Sequence, residues 1–191
     1  MGHYALMCIK FIFSVVDMEN TIPSITSNRL KLREFEKADS HYMFINWASD
    51  AECSKYTEMT VADSENYCEA VIDLWKSYYD KGLFMWAICL KESNEPIGMI
   101  GFGLSENSEI CLAVGKKYNN HGYATEALSA VLQFGIKNLR VKHFWGYHFT
   151  ENIGSGKVMQ KAGMIHIRSD TKLNKFFNKE MPVEIYEYPT K

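Results

Sequence analysis

The segment Glu109-Ile-Cys-Leu-Ala-Val-Gly-Lys-Lys-Tyr-Asn-Asn-His-Gly-Tyr-Ala-Thr-Glu-Ala-Leu128 constrains the fold more than any other part of the chain. It begins as a strand, passes a tight turn at Gly122 and runs directly into a long helix. Ala124, Ala127, Leu128, Val131, Leu132, Gly135, Ile136 and Leu139 recur at helical spacing and mark one apolar face. The first turn of a helix leaves about four backbone N–H groups without partners, and with the positive end of the helix dipole they form an anion site. Here those amides lie around His121, Gly122, Tyr123, Ala124 and Thr125, with Asn119 and Asn120 on the approach. Gly122 and Ala124 keep the backbone bare enough for a diphosphate to come close, and Lys116 and Lys117 add positive charge.

Other phosphate motifs fail residue by residue. A Walker A loop ending at Gly156-Lys157 needs glycine at Glu151 and a hydroxyl at Val158; one ending at Gly115-Lys116 needs glycine at Ile110 and a hydroxyl at Lys117. A dinucleotide fingerprint opening at Gly101-Phe-Gly103 needs glycine at Glu106 and a following helix, and the sequence offers neither.

At 191 residues and 47% hydrophobic, the chain suits one globular α/β domain with its own core. The net charge of −2 and the lack of a basic run argue against nucleic acid as a partner. Five cysteines without a Cys-x-x-Cys pair read as reduced thiols of a cytoplasmic protein, and no His/Cys spacing fits a metal. Leu6 to Val16 is apolar but too short to span a membrane, and it lacks the flanks of a signal peptide. Residues 1–20 are therefore expected to be an extension, and residues 21–191 a single domain. No membrane association is expected, and a monomer or homodimer fits equally.

Arg29 to Phe35 alternates as a strand, and helices are expected from Asp39 and, with Asp63 or Ser64 as cap, through Tyr79. Phe84 to Leu90, Ile97 to Leu104 and Glu109 to Val114 read as an antiparallel meander. Beyond the long helix come a strand over Val141 to Tyr147, a short helix over Asn152 to Lys161, and strands near Met164 to Arg168 and Val183 to Tyr188.

These residues resemble the GNAT acetyltransferase superfamily, in its RimJ/RimL-like branch. The cofactor signature Gln/Arg-x-x-Gly-x-Gly/Ala corresponds to Asn119-x-x-Gly122-x-Ala124, with Asn119 in place of Gln/Arg. The Asn-x-x-Ser signature, followed by a hydrophobic stretch and Gly-Met, corresponds to Asn152, Ser155, Val158, Gly163 and Met164, while Arg29-Leu-Lys-Leu-Arg33 and Trp47-Ala-Ser-Asp50 match near the start. The resemblance implies a mixed sheet of six or seven strands splayed at a cofactor cleft, with about four helices. It also implies direct acetyl transfer from acetyl-CoA to an amine, whether a protein N-terminus or a small molecule; the alternative is a module that holds acyl-CoA without turnover. The splayed strands would pair with the extended pantetheine. An amide among Leu112, Ala113 and Val114 would stabilise the oxyanion, a contribution of about 3 kcal/mol. Lys117 and Lys157 belong to the cofactor set, and His121 either touches phosphate or offers only its amide. Asn152 is implied to hold the pantetheine arm. Many relatives protonate the leaving thiolate with tyrosine, but the aligned residue is Met159, so Ser155 takes that part unless it merely caps its helix. Glu109 is the candidate base, against the reading of a solvated strand carboxylate, and Glu126 is read as structural. Tyr56, Trp75, Trp86 and Tyr147 are the aromatics available to line the acceptor side.

Overall fold

The computed structural model describes residues 21–57, 59–105 and 107–189; the expected extension at residues 1–20 lies outside them. The strands are β1 (Ile25–Thr26), β2 (Leu30–Glu34), β3 (Leu83–Leu90), β4 (Pro96–Gly103), β5 (Ser108–Val114), β6 (Phe144–Phe149), β7 (Ile165–Asn174) and β8 (Lys179–Tyr188). They form one mixed sheet in the order β1-β2-β3-β4-β5-β6-β8-β7, slightly larger than the six or seven strands expected. The additional strand, β1, has two residues, too few to carry an alternation pattern.

The helices are α1 (Asp39–Met43), α2 (Ala51–Ser54), α3 (Glu65–Lys76), α4 (Tyr123–Leu139) and α5 (Ile153–Lys161). A π-helical turn over Phe44–Ala48 extends α1, so the expected helix continues with a wider, i→i+5-bonded turn. Ser64 caps α3 by accepting from the Tyr67 amide, as its sequence predicts. α2 is four residues long and had no periodic signal to announce it.

α4 packs on one face of the sheet. Trp86 meets Phe134 edge-on at 5.8 Å between centroids, and Phe102 meets Phe144 at 5.0 Å beneath Gly135. Side chains alternate across a strand, so Phe84, Trp86, Phe102, Ile110 and Phe144 share the α4 face, whereas Met85, Met99, Cys111 and Glu109 point to the opposite face. Trp86 is thus a core residue donating to the Pro23 carbonyl, not a lining of the acceptor side.

Two boundaries move for local reasons. Arg140 adopts a left-handed conformation and the Val141 amide folds back on the Gly135 carbonyl, so β6 starts at Phe144 and runs to Phe149. β7 and β8 are ten residues each, longer than their apolar stretches, because cross-strand bonds extend the hairpin into solvent.

Candidate active site

The decisive geometry lies between β5 and β6. They are parallel neighbours but pair only at Ser108↔Phe144 and Glu109↔Trp145, and then diverge. The Ser108 amide donates across to His143, whereas the Gly115 amide donates backwards to Ile97 of β4. Backbone groups alternate sides along a strand, so the amides of Leu112 and Val114 face the fork. The Ala113 amide is turned to β4, opposite Met99. Of the three residues expected to supply an oxyanion donor, Ala113 is thereby removed, although its side chain still lines the cleft.

At the mouth of the fork, Asn120 (φ 66°) and Gly122 (φ 80°) are both left-handed, on either side of His121. This alternation turns successive amides to one side, the arrangement of an anion nest. Among the described residues, no amide from position 120 to position 125 donates to a protein acceptor, and no side chain caps α4. The free donors, the bare Gly122 and the open strand edges fit a diphosphate joined to an extended pantetheine arm.

A brace that sequence reasoning missed holds this turn. Arg29 Nη1 donates to the His121 carbonyl at 2.9 Å, and its Nε to Glu126 Oε2 at 2.8 Å. Glu126 Oε1 accepts from the Arg29 amide and the Ser27 hydroxyl, both at 2.7 Å. Burial alone would raise the Glu126 pKa, but these donors outweigh it and hold the carboxyl below its ordinary value. Glu126 is structural, as expected. Lys116 lines the cleft, whereas Lys117 does not and lies 5.2 Å from the Tyr118 ring. The His121 ring is tied to the Asn119 carbonyl through Nδ1 at 2.8 Å and stacks on Tyr123, so His121 offers its amide.

On the other wall, Asn152 caps α5: its Oδ1 accepts from the Ser155 amide at 3.3 Å. The cap is therefore asparagine, and the alternative reading of Ser155 as N-cap is set aside. The half-buried Ser155 hydroxyl lines the cleft without a protein partner among the described residues, beside Lys157. His148 packs against Gly156; its Nδ1 meets the Phe149 carbonyl at 2.9 Å, and its buried Nε2 has no partner among the described residues. A side chain on Gly156 would place Cβ 2.6 Å from that Nε2, so this position admits only glycine without rearrangement.

Glu109 is exposed at the last paired position, on the face opposite α4, where Tyr56, Trp75 and Tyr147 also line the cleft. Among the sequence-predicted residues, all but Lys117 and Trp86 meet around this one cleft.

The sequence pattern of the Acetyltransferase (GNAT) domain matches residues 29–165. The chain belongs to the GNAT acetyltransferase family. GNAT relatives include the uncharacterized N-acetyltransferase YnaD of Bacillus subtilis, 32% identical over 143 residues, covering 73% of this chain and 81% of that protein. A GNAT acetyltransferase structure from Bacillus anthracis superposes with a TM-score of 0.76 at 26% identity, over 86% of this chain and 97% of the other. The RimL ribosomal L7/L12 α-N-protein acetyltransferase, solved with coenzyme A, shares the fold with a TM-score of 0.76 at 14% identity, over 86% and 97% of the two chains. As a GNAT enzyme, the protein takes its acetyl group from acetyl-CoA.

Proposed function

We propose that this GNAT N-acetyltransferase transfers acetyl directly to a primary amine held on the Glu109 side of the fork, with the following residues in named roles. Bound acetyl-CoA supplies an activated thioester whose carbonyl carbon the amine attacks. The amides of residues 120–125 hold the diphosphate, with Lys116 adding charge at the same wall and Lys157 at the facing one. Leu112 and Val114 offer the amides that pair with the arm and receive the oxyanion. The Asn152 side-chain NH₂ remains for a pantetheine carbonyl, since only the oxygen of that group is spent on the cap. Ser155 donates a proton to the departing sulfur, and Glu109 takes one from the incoming ammonium, directly or through water.

The observation that carries this reading is the coincidence of two unsatisfied backbone edges, at the α4 turn and at the β5/β6 fork, converging on one cleft. Backbone donors predominate there, so the replacement of Gln/Arg by Asn119 is compatible with binding. Titration calorimetry with acetyl-CoA, followed by thiol release against a panel of amines, tests it. Heat without thiol release from any amine would instead identify an acyl-CoA-holding module; absence of heat would sink both. The single domain over residues 21–191, a cytoplasmic location, and a monomer or homodimer without nucleic acid complete the reading. Among the described residues, no helix is long and apolar enough to cross a membrane.

A further inference from the structure

The cleft passes through the fork and deepens under α3, on the face opposite α4. Its floor there consists of Val71 and Trp75 from α3, Leu83 and Met85 from β3, and Met99 from β4, all lining the cleft and between 2% and 8% exposed. None carries charge. Toward the α2 side of the cleft, Lys55 pairs with Glu52 at 2.7 Å, and the Tyr56 hydroxyl donates to Glu151 at 3.2 Å. Glu109 is the carboxylate beside the fork. A ligand here meets negative charge at one end and thioether, indole and aliphatic surface at the other.

From this polarity we infer that the acceptor is a primary amine bearing a single ammonium on a compact apolar body, aromatic or branched aliphatic. The inference rests on the acetyltransferase reading above. The body sits on Met85, Met99 and Trp75 while the ammonium faces Glu109. A second ammonium lodged on that floor, as in a polyamine, would be stripped of water against the methionines with no carboxylate among the floor residues to meet it, and buried unpaired charge is strongly disfavoured. In the transfer, the amine loses one proton to become nucleophilic, its nitrogen forms a bond to the acetyl carbon and the carbon–sulfur bond breaks. Nitrogen then loses its second proton and sulfur gains one, so that one proton is released per amide and thiol formed.

The same chemistry is presented by a small amine and by a peptide whose first residue has an apolar side chain. The test measures kcat/KM by thiol release with saturating acetyl-CoA for 2-phenylethylamine, a tetrapeptide beginning with leucine, spermidine and kanamycin. The apolar arms should exceed spermidine and kanamycin by about tenfold or more, and whichever apolar arm is faster identifies the source. Met99→Gln should raise KM for the preferred apolar amine several-fold while leaving acetyl-CoA affinity unchanged, and Met99→Leu should retain the parental KM. Preference for spermidine or kanamycin with normal acetyl-CoA binding would overturn the acceptor class and leave the enzyme standing. Binding of acetyl-CoA without turnover of any amine would overturn both.

Discussion

Arg29 and Glu126, far apart in sequence, are joined by both the backbone amide and the guanidinium of the arginine, at 2.7 and 2.8 Å. The same guanidinium reaches on to the His121 carbonyl, which lies within the anion turn. One arginine thus ties the entry of β2 to the first turn of α4 and fixes the backbone proposed to receive the phosphates.

Removing this brace should weaken cofactor binding through the shape of the turn. Charge-assisted hydrogen bonds contribute about 1.5–3 kcal/mol, less when half-exposed. Arg29→Ala is therefore expected to raise the acetyl-CoA dissociation constant by about tenfold, by calorimetry. Arg29→Lys, which cannot bridge two acceptors with a planar fork, should recover only part of the loss.

The pH dependence of the brace follows from the lowered Glu126 pKa. A carboxylate depressed in the folded state contributes stability that is complete above its unfolded value of about 4.3 and is lost as pH falls through the lower folded value. Thermal stability should therefore lose a contribution as pH drops below about 4. In Glu126→Gln that part of the acid limb should flatten, which scanning calorimetry across pH would detect.

Ser155→Ala should lower kcat by about tenfold to a hundredfold while leaving acetyl-CoA affinity close to parental, because the hydroxyl makes no bond among the described residues and, in the role proposed for it, acts late in the reaction. Steady-state kinetics beside calorimetry separate the two effects. An unchanged kcat would remove the serine from the chemistry.

Gly156→Ala should destabilise the fold by about 1–3 kcal/mol, since the new methyl would press on the His148 ring at 2.6 Å from Nε2. Adding His148→Ala should restore much of the loss, and urea unfolding of the single and double variants measures the coupling.

What the sequence disclosed was local. The strand, glycine turn and helix from Glu109 to Leu139 were legible because propensity, apolar period and the left-handed requirement at Gly122 all act within a few residues. The Arg29 brace was not, because Arg29 meets the turn only after the sheet has formed, and in sequence it reads as a solvated strand residue. The proposed acceptor floor was hidden for another reason: β3 and β4 are buried on both faces, so their apolar runs do not reveal that Met85 and Met99 face a cleft while Trp86 faces the core. That Lys116 rather than Lys117 lines the cleft was not legible, because a lysine pair on a short turn gives no indication of which member points inward.

Because β5 and β6 share only two bridged positions, the sheet is two half-sheets meeting at an open seam, and an extended substrate arm lying in it becomes an inserted partial strand. Resistance to unfolding and catalytic occupancy are then coupled by mass action: the protein should melt higher as acetyl-CoA accumulates and loosen along this seam whenever the cellular pool runs low.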